Sequence, residues 1–217
     1  FILTFWNSFV FYKTYGLKLK TKNLKLKTSH VLDRWIISRL HSTAREATKK
    51  FDEYDITGAA RALESFVIDD LSLWYIRRSR TRFQNPKNKK ELQDASVVLR
   101  YMLLEVSKLA APFIPFLSEH VYGALGGKGS VHWQDWVKAD PKRISPKLEG
   151  EMVQVRELVT KGLAERAKAG IRVRQPLQKL KIQSASWRTK SKINRGLFEL
   201  IKDELNVKEV VFDQNLK

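Results

Sequence analysis

The sequence predicts a mainly α protein, a helix bundle followed by a small α/β unit. Apolar residues recur at spacings of three and four as far as Gly170, and strand-like alternation dominates only beyond it. Breakers are sparse, with 10 Gly and 6 Pro in 217 residues, so the periodic stretches are long and their connections short. A hydrophobic share of 43% supplies a core and excludes a disordered chain despite the charge. The length allows one large unit and a smaller one.

The first element is a short helix from Phe1 to Tyr15 ending at Gly16, in which Ile2, Phe5, Trp6, Phe9, Val10 and Phe11 would bury an aromatic face. The Lys-rich piece that follows repeats Leu-Lys-Leu-Lys-Thr at Leu17–Thr21 and Leu24–Thr28. Its alternation suits a small hairpin and its composition suits a mobile linker. Thr28 or Ser29 is placed to cap a helix running to about Phe51, with Leu32, Trp35, Ile36, Leu40 and Thr43 inward and Asp33 in the first turn, where it suits the helix dipole. Asp55 caps a second long helix whose stripe is Ala59, Leu63, Phe66, Val67, Leu71 and Trp74, stopped by Asn85-Pro86. A third runs from Lys89 through Val98, Leu99, Met102, Leu103, Val106 and Leu109 to Pro112. A short one spans Phe116 to Leu125 and is closed by Gly126-Gly127.

Val131 to Trp136 reads as a strap over the bundle with both of its tryptophans packed. Ser145-Pro146 starts a helix through Met152, Val155 and Val159 that ends at Gly170. Then the period changes. Leu180–Ile182 is a strand, Asn194–Leu205 a helix and Val207–Phe212 a second strand. The organisation is therefore a short helix and Lys-rich linker over residues 1–30, a helical bundle over 31–140, and a long helix plus α/β tail over 141–217.

With no cysteine the chain has neither disulfides, thiolate metal sites nor a cysteine nucleophile. The four histidines are scattered, and Gly126-Gly127-Lys128-Gly129 lacks the helix a P-loop needs, so no catalytic residue and no metal ligand is assigned. His132 reads as a packed loop residue. No apolar run reaches the roughly 18 residues of a membrane span, and no signal peptide is recognisable, so the cytoplasm is the default location. A start on Phe-Ile-Leu-Thr-Phe-Trp without methionine suggests a piece of a longer protein.

Lys and Arg number 41 against 23 Asp and Glu, a net charge of +18. The excess is local. Lys13–Lys27, Ile76–Lys90 and Ile171–Arg195 hold twenty-one basic residues and no acidic one, leaving a nearly balanced remainder. Acid-free basic stretches are the electrostatic footprint of a phosphate-bearing partner. The middle stretch is the most pointed. Trp74, Arg78 and Arg82 are four apart on one helical face, flanked by Arg77 and Arg80, and the planar arginine fork suits phosphates, base edges and stacking. The competing structural reading has Asp69 and Asp70 holding Arg77, with Trp74 in the core.

Leu32-Asp33-Arg34-Trp35-Ile36, the run Phe66 to Arg80 containing Asp69-Asp70-Leu71-Ser72-Leu73-Trp74-Tyr75-Ile76-Arg77-Arg78, and Leu109-Ala110-Ala111-Pro112-Phe113-Ile114-Pro115-Phe116 together resemble the anticodon-binding domain of class I aminoacyl-tRNA synthetases. Ser130–Trp136 and Ala169–Leu177 are similar to later segments of the isoleucine-specific branch, in the same order. The branch's catalytic signatures, His-Ile-Gly-His and Lys-Met-Ser-Lys-Ser, are absent, and the lack of a cysteine zinc module makes the tail resemble archaeal and eukaryotic members. The resemblance implies a non-catalytic, C-terminal tRNA-positioning part of a ligase that joins isoleucine to its tRNA. ATP and Mg would belong to the parent enzyme, and the partners would be isoleucine tRNA and an upstream catalytic domain in a monomer. Phosphate and base contacts are expected from Arg77, Arg78, Arg80 and Arg82, then Arg172, Arg174, Lys179 and Lys181. Trp74, Trp133 and Trp136 are candidate stacking platforms against a reading in which they pack. A free-standing, non-catalytic RNA-binding or scaffolding protein of the same fold is the alternative.

Overall fold

Eight α-helices, one π-helical segment, two single 3-10 turns (Val131–Trp133 and Pro141–Arg143) and two strands are present among the described residues of a computed structural model, which are 1–17, 19, 26, 28–182 and 195–212. The backbone divides into two units, Phe1–Ser145 and Pro146–Lys217. Most of residues 17–28 lie outside the described residues, and with them the choice between hairpin and linker.

In the first unit α1 (Ile2–Tyr15) and α2 (Val31–Asp52) precede a long rod made of α3 (Ile56–Ser65), a π-helical segment (Phe66–Ile76) and α4 (Arg77–Gln84). α5 (Lys89–Ala110) and α6 (Pro115–Ala124) complete it. The rod is unbroken because Ser65, Phe66, Ile76 and Arg77 all keep right-handed helical backbone. Its wide middle buries not only the expected Phe66, Val67, Leu71 and Trp74 but also Asp70, Tyr75 and Ile76. A π turn carries more residues than an α turn, and a stripe drawn at α spacing misses the extra ones. The core gathers Phe5 of α1, Trp35, Ile36 and Leu40 of α2, Phe66, Leu71 and Tyr75 of the rod, and Leu99, Met102 and Leu103 of α5.

Two helix starts follow their capping residues. Asp55 accepts from Gly58 N at 2.8 Å, and Asn88 accepts from Glu91 N at 2.9 Å while the Glu91 carboxylate accepts from Lys87 N. α2 does not start as expected. Its N-cap is His30, with no side-chain cap bond; the Thr28 hydroxyl donates to the Asp33 carboxylate at 2.7 Å and accepts from His30 N at 3.2 Å. α1 also departs from expectation. Phe5, Phe9 and Tyr12 are buried, but Ile2, Trp6 and Val10 are exposed, so the helix is apolar on both faces.

The second unit pairs α7 (Pro146–Lys168) with α8 (Arg195–Leu205) beside a two-stranded parallel sheet. Its strands are β1 (Leu177–Ile182) and β2 (Val207–Phe212), registered from Leu177 opposite Val207 to Ile182 opposite Phe212. α7 and α8 meet at Gly162, where a Cβ would lie 2.6 Å from the Leu205 side chain. Gly170 at φ +68° turns the chain left-handed out of α7, as a C-terminal glycine does.

Candidate nucleic-acid interface

The basic run after the π segment splits by environment. Arg82 turns inward and grips Asp33 with both arms of its fork, at 2.6 and 2.8 Å, while Tyr75 donates its hydroxyl to Asp33 at 2.9 Å. Asp33 is fully buried and Arg82 nearly so. Burial opposes the charge on Arg82, but the Asp33 hydrogen bonds and charge outweigh it and hold the guanidinium above its ordinary pKa. Burial likewise pushes the Asp33 carboxyl up, and the Arg82 contacts overturn that and leave it below the usual carboxylate range. The expected solvent-facing role of Arg82 is therefore corrected. It is a core ion pair, bidentate and hydrogen-bonded as a buried pair must be. Asp33 holds that pair from the first turn of α2, where the sequence places it.

Arg78 is half engaged as well. Its guanidinium lies 3.7 Å over the Trp74 ring and donates to Leu73 O at 3.0 Å. Trp74 is 6% exposed beneath it and offers no face for stacking, which corrects its candidacy as a platform. Asp70 pairs with Arg39 at 2.9 Å and Ser65 donates to Asp69, so neither acid holds Arg77. Arg77 and Arg80 stand exposed on the rod, with no carboxylate partner among the described residues.

The strap after α6 separates its two tryptophans. Trp136 donates to Thr48 at 2.9 Å and packs edge-on against Phe51, a structural anchor rather than a platform. Trp133 is 84% exposed. The strap beneath it is fixed, because the Glu119 carboxylate accepts from Ser130 Oγ and Val131 N, and Gln134 donates to two carbonyls. Further along, His41 accepts from Asp140 N and bonds Tyr101, and Ser38 accepts from Ser145 N. Burial, then the Arg143 charge, lowers the His41 pKa below its ordinary value, and burial raises Tyr101 to about 12.

In the second unit Arg172 and Arg174 are exposed on the loop between α7 and β1, again without a carboxylate partner among the described residues. Lys179 is committed in part, at 3.2 Å from Glu209 across the parallel pair, and Lys181 is exposed on the same strand. The loop owes its shape to a residue the sequence did not single out. Arg166, 5% exposed, donates to the carbonyls of Leu205, Arg172, Val173 and Gln175. Asn206, at φ 47°, adds a bond to Val173 O at 3.0 Å. No local spacing marks Arg166, because its acceptors are backbone carbonyls brought together only by the fold. Of the remaining predicted cations, Arg188, Lys190 and Lys192 fall outside the described residues. Among the described residues no group of three or more His, Asp or Glu is arranged to hold a metal, and no helix is long and apolar enough to cross a membrane.

A helical unit and a small α/β unit each carry exposed arginines, and residues 33–182 match the family described as the anticodon-binding domain of tRNA ligase. The chain belongs to that family. Among curated proteins it is 35% identical to the isoleucine–tRNA ligase of Clostridium tetani, 36% to that of Thermus thermophilus and 38% to that of Streptomyces coelicolor. The alignments cover 100%, 97% and 95% of this chain and 21%, 21% and 20% of the respective relatives. The chain thus spans about a fifth of their length. All three sources are bacterial, which the archaeal and eukaryotic likeness of the tail did not anticipate.

Proposed function

We propose that the chain binds the anticodon region of an isoleucine tRNA and holds it in register for the activation site of a parent isoleucine–tRNA ligase. The observation that carries this reading is the set of four exposed arginines, Arg77, Arg80, Arg172 and Arg174, unpaired with any described carboxylate in a member of an anticodon-binding family. Guanidinium forks fix RNA by its phosphates, and bases are read where the strand is unstacked. Trp133 offers such a base an exposed ring. ATP and Mg belong to the parent's activation chemistry and are assigned to no residue here.

Filter binding of an isoleucine tRNA transcript across a salt series tests the reading. Affinity is expected to fall steeply as salt rises, each of Arg77→Ala, Arg80→Ala, Arg172→Ala and Arg174→Ala is expected to reduce the logarithmic salt slope by about one, and the chain alone is expected to give no ATP–pyrophosphate exchange. Affinity that is flat between low and moderate salt contradicts the reading.

A further inference from the structure

The strap that begins at Val131 continues past Trp136 to Ser145, and three side chains of α2 receive it. Thr48 Oγ1 accepts from Trp136 Nε1 at 2.9 Å, His41 Nδ1 from Asp140 N at 3.2 Å and Ser38 Oγ from Ser145 N at 2.8 Å. Positions 38, 41 and 48 lie on one side of a helix, and Val137 is buried between the first two of these bonds. Each bond runs from the strap into an acceptor on α2, and of the three acceptors only His41 is lost when a proton is taken up. Because Nδ1 accepts, the proton of the neutral ring sits on Nε2, which donates to the Tyr101 hydroxyl at 3.3 Å. A second proton on Nδ1 sets two N–H groups against each other, on a ring that is 3% exposed.

Around the ring the strap contributes Asp140 and Arg143, and α5 contributes Tyr101 with Glu105 one turn beyond it. Burial disfavours the imidazolium and the Arg143 charge adds to that, outweighing the Asp140 carboxylate. Arg143 is held near by its pair with Asp140 at 3.3 Å, its guanidinium 5.9 Å over the Tyr101 ring. We propose that the strap from Trp136 to Ser145 is a latch on α2 and that His41 is its catch, holding while the imidazole is neutral and letting go when it is protonated. In the open latch the ring regains water and its ordinary value of 6.5. The preference for the closed latch is therefore complete above that pH and is lost as pH falls from there towards the lowered value of the closed site. Ser145 ends the first unit and Pro146 opens α7. An open latch leaves residues 138–145 as a free tether between the units, and a closed one holds them to the first. Protonation thus lowers the effective concentration of either unit's binding groups for a ligand held by the other.

Hydrogen exchange of the full chain, read at single amides between about pH 8 and pH 5 and corrected for intrinsic exchange chemistry, tests the latch. Protection at Asp140 and Ser145 is expected to be level above pH 6.5 and to fall by about tenfold per pH unit below it, the slope of one proton taken up on opening. In His41→Gln, whose amide oxygen accepts from Asp140 N at every pH, protection is expected to stay level throughout. Arg143→Gln removes the charge that opposes protonation and is expected to make the fall level off at a higher pH than in the unsubstituted chain. An undiminished fall in His41→Gln places the proton elsewhere and overturns the proposal, as does a level profile in the unsubstituted chain. Protection at Asp140 and Ser145 equal to that at Leu103 in the core of α5 means that the strap leaves only when the bundle unfolds, which also overturns the latch. Should circular dichroism show that His41→Gln does not fold, Arg143→Gln decides, and a profile identical to that of the unsubstituted chain overturns the assignment.

Discussion

At the scale of single residues, the arginines after the π segment exchange the roles their spacing suggests. Of the residues four apart, Trp74 and Arg82 are buried and Arg78 is half-buried, while Arg77 and Arg80 are exposed. Residue type was legible in the sequence and environment was not, because the acid that claims Arg82 is Asp33, 49 positions away and on another helix. Removing Asp33 strands a buried guanidinium, and Asp33→Ala is expected to cost about 3–5 kcal/mol of folding free energy by urea denaturation. The pH dependence has a fixed sign. The folded Asp33 pKa is lowered, so its contribution is complete above the ordinary value of 3.8 and is lost as pH falls from there through the folded pKa. Asp33→Asn is expected to be less stable at pH 7 and to lose less on acidification below pH 4 than the parent does. An unchanged acid limb would mean that the pair contributes nothing.

At the scale of elements, helices were legible wherever period and caps agreed, as Asp55, Asn88 and Gly170 illustrate. The π segment was not, since α and π turns differ by less than one residue in spacing and the buried Phe66, Val67, Leu71 and Trp74 fit either. The loop after α7 shows a second kind of illegibility. Its exposed arginines were anticipated, but its shape depends on Arg166, whose four carbonyl acceptors come from two places in the chain, three on the loop itself and one at Leu205. A guanidinium fork can satisfy such a cage and an ammonium cannot. Arg166→Lys is expected to release the loop, lowering tRNA affinity and reducing the salt slope by about two, the share of Arg172 and Arg174. Hydrogen exchange is expected to rise at Val173 to Leu177 and to stay unchanged in α2 and α5. Retention of the full salt slope by Arg166→Lys would leave the residue as core packing with no bearing on binding.

At the scale of the whole molecule, charge placement was the most legible property of all. Two of the three acid-free stretches surface as exposed arginines, one pair in each unit, and the third lies largely outside the described residues. The division at Ser145 and Pro146 gives each unit its own core, Trp35, Tyr75 and Leu99 in the first and Met152, Val155, Leu197 and Ile201 in the second. A unit with its own core folds on its own terms, and the first, at 145 residues, is of ordinary domain size. Residues 1–145 expressed alone are therefore expected to unfold in one cooperative denaturant transition. That transition's midpoint should match the corresponding step of the full chain within the error of extrapolation. The truncated chain keeps Arg77 and Arg80 and loses Arg172 and Arg174. It is expected to bind isoleucine tRNA more weakly, with a salt slope smaller by about two. Loss of cooperative folding on truncation would show that the first unit depends on the second for its core. Retention of the full salt slope with folding intact would show that Arg172 and Arg174 make no phosphate contact.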